Sequence, residues 1–236
     1  MVRPVARLSA RRARTSMRLR ALDARDRLAG RSGRLVPPRR LQLSVGEGDF
    51  VAVGDEFLSH LVALCELRPD DRVLDVGCGV GRLARPLAGF LTIDGAYAGL
   101  DVDADAIAWC RRRYAHFPHF RFVHADLRSA RSNPDSSGEA VAYEFPFDDG
   151  AFDVAVLMSV LDRLSDDEVL HYLGQVRRVL VPGGRVLASG RWTPEREEWL
   201  IETLRAAGID LVDLHPGTWR GRPDGLSFED VVVGRA

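Results

Sequence analysis

The 236-residue chain is 46% hydrophobic and 28% charged, a balance that suits one globular domain with a sizeable core and excludes a wholly disordered chain. No apolar run is long enough to cross a bilayer, and the arginine-rich N-terminus lacks the apolar block and cleavage site of a secretory signal, so a cytoplasmic location is expected. Cys65, Cys78 and Cys110 are odd in number and widely spaced, which argues against a disulfide framework and a paired zinc site, and no metal is expected.

The net charge of −1 hides an uneven distribution. Residues 1–40 hold 13 arginines against two aspartates, or +11, so the remainder carries 20 against 32, or −12. Two units are therefore expected: a basic arm and hinge over residues 1–40 and a folded domain over residues 41–236. Leu19, Leu22 and Ala29 suggest a helical face, with Asp23 and Arg27 as an i,i+4 pair, that docks on the acidic body or stays partly disordered. Binding of nucleic acid or an anionic membrane by the arm is an open alternative, although no aromatics are interleaved for base stacking. Gly30, Gly33, Pro37 and Pro38 mark the hinge.

An amphipathic helix is expected over residues 55–67. Residues 73–84, VLDVGCGVGRLA, then carry the strongest signal of the chain. A buried strand stops at Asp75, and Gly77, Gly79 and Gly81 follow at alternate positions before a helical pattern begins. Glycines at this density allow a tight turn and close approach of a ligand to bare backbone. A nicotinamide dinucleotide fingerprint would need its third glycine where Arg82 stands, which disfavours that ligand and leaves an NAD-dependent oxidoreductase as the less favoured enzyme reading. Asp75 suits a ligand bearing an ammonium and a sulfonium better than a pyrophosphate.

A second strand over residues 97–100 ends in Asp101, at the interval where doubly wound folds place an acid against ribose hydroxyls. Capping of the helix that starts near Asp103 is the alternative role for Asp101. A third strand over residues 120–123 runs into Asp126. Residues 128–146 form a polar loop, either a substrate-facing lid or a floppy insertion. Strand four, residues 152–158, brings Met158, Ser159, Asp162 and Arg163 to the same rim. Ser165 and Glu168 form a capping box for a helix over residues 166–180, closed by Pro182, Gly183 and Gly184. A fifth strand follows over residues 185–189, then a helix over residues 194–207 and two terminal strands.

The glycine segment resembles motif I of the class I S-adenosylmethionine-dependent methyltransferases, and the run QVRRVLVPGGRVL resembles their post-helix segment, so the likeness extends over residues 53–189. It implies an α/β fold: a Rossmann-like, doubly wound, seven-stranded sheet, mostly parallel with an antiparallel last strand, in three α/β/α layers. It implies S-adenosyl-L-methionine as cofactor, held by Asp75, Gly77, Cys78, Gly79, Gly81, Arg82, Asp101, Val102, Asp126, Leu127 and Met158. In such enzymes the first acid lies near the methionyl amine, the acid at Asp126 reaches the adenine amine, and Leu127 would offer its backbone amide to the ring.

The implied activity is methyl transfer to a small-molecule oxygen, nitrogen or carbon. Candidate catalytic residues are Ser159, Asp162, His171 and Trp219. A binding protein that kept the cofactor pocket but lost catalysis, with its basic arm on nucleic acid, is the alternative. The segments VPPRRLQLSVGEGDF and GTWRGRPDG are similar to those of a bacterial subgroup in which Phe, Thr and His often stand where this chain has Leu161, Asp162 and Arg163. The Asn or Asp, paired prolines and aromatic that grip a base amine in nucleic-acid methyltransferases are absent after strand four.

Overall fold

The computed structural model describes residues 33, 35–46, 48–130, 132–190, 192–219 and 229–236. Residues 1–32 and 34 of the basic arm and hinge lie outside the described residues, as do the side chains of residues 216–219, 229 and 230.

Seven strands form one sheet: β1 (Arg72–Val76), β2 (Ala96–Asp101), β3 (Phe120–His124), β4 (Phe152–Met158), β5 (Leu180–Gly190), β6 (Asp210–Trp219) and β7 (Glu229–Arg235). Their spatial order is β3-β2-β1-β4-β5-β7-β6. The strands from β3 to β5 pair in parallel, and β7 runs antiparallel to both β5 and β6. The doubly wound sheet with its antiparallel last strand is as expected.

Strand parity divides the core into two layers. Val73, Tyr97, Phe122 and Val156 pack beneath α2 (Phe50–Leu64), α3 (Ala84–Phe90) and α4 (Ala104–Arg113), which follow the short α1 (Arg39–Gln42). Leu74, Leu100, Leu157 and Val186 pack on the other face against α5 (Asp166–Val179) and α6 (Pro194–Ala206). Chain order reverses direction between β1 and β4, so the carboxyl ends of β1, β2 and β4 open onto one crevice.

Two boundaries differ from the sequence reading by five residues, each with a local cause. Helix α2 starts at Phe50 rather than at residue 55, because the Asp49 carboxylate accepts the amides of Val51 and Ala52 at 2.9 and 2.8 Å. Its Gly54, unfavourable in an isolated helix, lets α2 lie against the glycine loop: a Cβ there would meet the Arg82 carbonyl at 2.5 Å. Strand β5 begins at Leu180, directly after α5, and contains the Pro-Gly-Gly turn as an irregularity in the ladder to β4. The Gly183 amide there donates to the Ala236 carbonyl at 2.6 Å, which fastens the chain end to the sheet.

The expected capping box of α5 is present, with the Ser165 amide donating to Glu168 Oε2 at 2.7 Å. Among the described residues no helix is long and apolar enough to cross a membrane, and no His/Cys/Asp/Glu cluster suits a metal ion.

Candidate active site

β1 ends at Val76 and the chain turns at once. Gly77, Gly79 and Gly81 hold φ angles of +77°, +51° and +76°, a region that costs residues with a Cβ roughly 1–2 kcal/mol each. Space is a second constraint. A Cβ on Gly77 would sit 2.5 Å from Val160 Cγ2, and one on Gly79 would sit 2.1 Å from Val45 Cγ1. Val160, after β4, and Val45, in the 3-10 turn Leu43–Val45, thus close directly over the loop.

Backbone bonds hold the loop open beneath those two valines. The amides of Gly77 and Cys78 donate to the Leu100 carbonyl at 2.7 and 3.1 Å. The Gly79 amide donates to Asp101 Oδ2 at 2.7 Å, and Asp101 Oδ1 accepts the Asp103 amide at 2.8 Å. The cap of α4 is Asp103, whose carboxylate accepts the Ala106 amide, so Asp101 serves the loop. Burial raises the pKa of Asp101, and the amides of Asp103 and Gly79 oppose the rise. The carboxylate lines the cleft.

Asp75 takes a different position. It shares strand parity with Val73 and points into the apolar layer under the loop, where it is fully buried. The Tyr97 hydroxyl donates to its Oδ2 at 2.6 Å, while Oδ1 has no hydrogen-bond partner among the described residues. Burial pushes its pKa up to about 7, with the Tyr97 hydrogen bond opposing and the Asp101 charge adding. Asp75 therefore lies below the cleft rather than on its wall.

Asp126 is exposed at the rim. Its Oδ1 accepts the Asn133 side-chain amide at 2.9 Å, which holds its carboxyl below the usual range. The backbone carbonyl of Asp126 accepts the Ser136 hydroxyl, and Gly138 packs so closely that a Cβ there would lie 2.2 Å from that carbonyl. Much of the polar loop is thus folded around Asp126. Leu127 is buried and lines the cleft, but its amide donates to the Ala125 carbonyl at 2.8 Å, so it faces the cleft with its side chain. Of the three acids singled out in the sequence, only Asp101 lines the cavity.

The remaining candidates separate in the same way. Cys78, Arg82, Val102 and Met158 line the cleft. Arg82, at the place of a dinucleotide motif's third glycine, is buried, reaches the Gly46 carbonyl at 3.3 Å and lies over the Phe50 ring. The thiols of Cys78 and Cys110 both lie 3.7 Å from the Gly79 carbonyl, and burial pushes both upward, which suits inert filler. Ser159 and Asp162 are on the wall. Ser159 adopts φ +51° at the end of β4, a strained conformation for a residue with a Cβ, while its amide donates to the Ser189 carbonyl. His171 lies off the cleft and bonds the Tyr143 carbonyl at 2.8 Å. The backbone of Trp219 pairs with Glu229 at the far edge of the sheet, and its side chain lies outside the described residues.

The cavity has a volume of about 650 Å³, well within the range of small-molecule sites. Its second wall joins Arg128, Ser129 and Ala140 of the polar loop to Leu164, Glu168 and Tyr172, of which Tyr172 was not singled out in the sequence. Val45 escaped notice too, although the apolar spacing of Leu41, Leu43 and Val45 before a glycine was a usable signal.

Residues 73–184 match the family model described as a methyltransferase domain. The chain is 29% identical over 128 residues to a demethylmenaquinone methyltransferase of Symbiobacterium thermophilum, covering 54% of this chain and 45% of that one. It is 34% identical over 174 residues to a fatty-acid O-methyltransferase of Mycolicibacterium smegmatis, covering 70% and 54% respectively. The chain spans about half the length of these curated relatives. In fold it is similar to the Burkholderia thailandensis 1,6-didemethyltoxoflavin-N1-methyltransferase, solved with 1,6-didemethyltoxoflavin and S-adenosylhomocysteine bound. The TM-score is 0.58 at 19% identity, covering 94% of this chain and 89% of that one. The segment that carries the glycine loop and the strands around it thus matches a methyltransferase domain, and the fold is similar to that of a methyltransferase solved with S-adenosylhomocysteine.

Proposed function

We propose that the chain binds S-adenosyl-L-methionine across the glycine loop and transfers its methyl group to a small-molecule oxygen, nitrogen or carbon nucleophile. One observation carries this reading: the left-handed Gly77 and Gly79 line a cleft together with the carboxylate of Asp101. A Cβ at Gly77 or Gly79 would run into Val160 or Val45, so the loop presents bare backbone to an adenosyl group. Asp101 would accept the ribose hydroxyls, Leu127 would pack on the adenine, and Met158 would lie along the methionyl arm.

The cofactor supplies an electrophilic methyl carbon on a sulfonium, so the protein's part is alignment and exclusion of water. Val45, Val160, Met158 and Leu164 provide apolar wall around the loop. Asp75, buried beneath, places a titratable carboxyl under a cationic ligand without contacting it. A nucleophile that arrives protonated needs a base, and Asp162 is the acidic candidate on the rim that no hydrogen bond or ion pair among the described residues engages. His171 is engaged with the Tyr143 carbonyl instead. The small-molecule class rests on the concave, medium-sized cleft.

Calorimetry with S-adenosylhomocysteine and with a nicotinamide dinucleotide tests the cofactor. Uptake of the first and not of the second is expected, and the opposite result overturns the reading.

A further inference from the structure

Helix α5 brings two polar side chains to the cavity, and each has an oxygen still unengaged. Tyr172 is only 6% exposed, yet its hydroxyl has no hydrogen-bond partner among the described residues and is not sealed off. Its ring is held edge-on against Phe145, with centroids 5.3 Å apart, and the residue lines the cleft. Glu168, one turn earlier, lines the same cleft. Its Oε2 accepts both the amide and the hydroxyl of Ser165, at 2.7 and 2.9 Å, so the α5 cap occupies one oxygen and Oε1 has no partner among the described residues. Residues four apart on a helix share a face, and helical side chains lean toward the N-terminus, which tilts Tyr172 toward Glu168. Burial raises the Tyr172 pKa, with Tyr143 and the Glu168 charge adding, so the phenol stays a donor beside a carboxylate acceptor.

One hydroxyl group satisfies both, because it accepts a proton on its oxygen while donating its own. We infer that this pair grips a hydroxyl of the methyl acceptor, with the Tyr172 hydroxyl donating to its oxygen and Glu168 Oε1 accepting from it. The inference rests on the methyl-transfer reading above and names the class of acceptor, an alcohol or a phenol. Charged groups fit this pair less well. An anion would meet the Glu168 carboxylate, and the cavity lining carries three arginines against four acids, with no positive excess to hold it. An ammonium would leave the Tyr172 proton without an acceptor and would face the sulfonium of the cofactor. The cofactor's ribose is assigned to Asp101 at the end of β2, whereas Glu168 and Tyr172 stand on the wall built from α5 and the polar loop. An acceptor without the hydroxyl would leave both groups unpaired, which is how such a site rejects it.

The test uses the full chain, methyl-labelled S-adenosylmethionine and the small-molecule filtrate of a bacterial cell extract. Acetylating the filtrate is expected to abolish labelling, and alkaline hydroxylamine, which cleaves acetyl esters and spares acetamides, to restore it. Tyr172→Phe keeps the ring against Phe145, and Glu168→Gln keeps an oxygen for the Ser165 cap. Each is expected to raise the half-saturating dose of filtrate at least about fivefold, while the plateau rate and the affinity for S-adenosylhomocysteine stay within about twofold of the parent. The double variant should raise the dose by much less than the product of the two single effects, because both side chains hold one group. Labelling that survives acetylation, or that hydroxylamine does not restore, overturns the proposal. So does an unchanged dose in Tyr172→Phe, or a double effect equal to the product. Loss of S-adenosylhomocysteine affinity in Tyr172→Phe overturns it too, since the hydroxyl would then belong to the cofactor. A parent protein that binds no S-adenosylhomocysteine, or binds it and labels no small molecule, refutes the underlying methyl-transfer reading instead.

Discussion

Asp75 makes the stability of the cofactor-free protein depend on pH in a direction opposite to that of most acids. Its folded pKa is about 7 against an ordinary 3.8, so between those two values the unfolded chain releases a proton that the folded chain keeps. Stability from this group is complete below the unfolded pKa and falls as pH rises toward the folded one. The full span of about three units corresponds to about 4 kcal/mol, of which about 2 to 3 kcal/mol falls between about pH 5 and about pH 8. Asp75→Asn removes the proton while keeping an oxygen for the Tyr97 hydroxyl.

Urea unfolding of the parent and of Asp75→Asn, followed by circular dichroism across that pH range, isolates the contribution, because every other titrating group is common to both. The parent should lose about 2 to 3 kcal/mol more than the variant on going from the acid to the alkaline end. Tyr97→Phe should move the window further up, since it removes the hydroxyl that favours the ionised form. Parallel curves for parent and Asp75→Asn would refute the placement of Asp75 in the apolar layer.

Gly79→Ala should weaken S-adenosylhomocysteine binding more than tenfold in calorimetry, through both its left-handed φ and the 2.1 Å approach to Val45. Adding Val45→Ala should recover the steric part and leave the conformational cost of roughly 1–2 kcal/mol. Asn133→Ala should speed hydrogen exchange across residues 129–138 by freeing Asp126 Oδ1. If Asp126 also reaches the adenine, Asp126→Ala will weaken S-adenosylhomocysteine binding more than Asn133→Ala does, whereas equal effects would confine Asp126 to holding the loop. His171→Ala should loosen the segment around Tyr143 yet leave the pH dependence of turnover unchanged, because the imidazole faces that carbonyl and not the cleft. A lost titration in the rate profile would restore His171 as a base.

Most of the fold was legible because its signals are local and redundant. β4 reads as a run apolar on both faces, which only a central parallel strand tolerates, and its ends at Phe152 and Met158 agree with the sequence reading. Helices α5 and α6 carry side-chain caps at Ser165 and Thr193, and their starts agree likewise. Helix α2 was misplaced at its start because Gly54 looks like an interruption in one dimension. It is a contact in three, where the helix must pass within a Cβ of the Arg82 carbonyl.

The site was legible at its backbone and illegible at its side chains, and the three acids show why. Each follows an apolar strand, so sequence spacing brings all three to the same end of the sheet, and it does so correctly. Which way a carboxylate then points depends on strand parity and on the next loop. Asp75 still belongs to β1 and keeps the parity of Val73, which turns it under the loop toward Tyr97. Asp101 ends β2 where the Gly79 and Asp103 amides converge, so backbone donors hold it at the cleft. Asp126 lies beyond β3, where parity has lapsed and Asn133, seven residues on, claims one of its oxygens. Parity alone does not separate Asp75 from Asp101, since Asp75 aligns with Gly99 on β2 and both Tyr97 and Asp101 lie two residues away on that same face; the loops that follow do. The acceptor wall has no such rule. Arg128 and Glu168 meet one cavity only because the loop after β3 folds around Asp126 while the turn after β4 packs over Gly77. The second contact joins segments distant in sequence, and the first depends on side chains of an irregular loop, so neither follows from a periodic pattern.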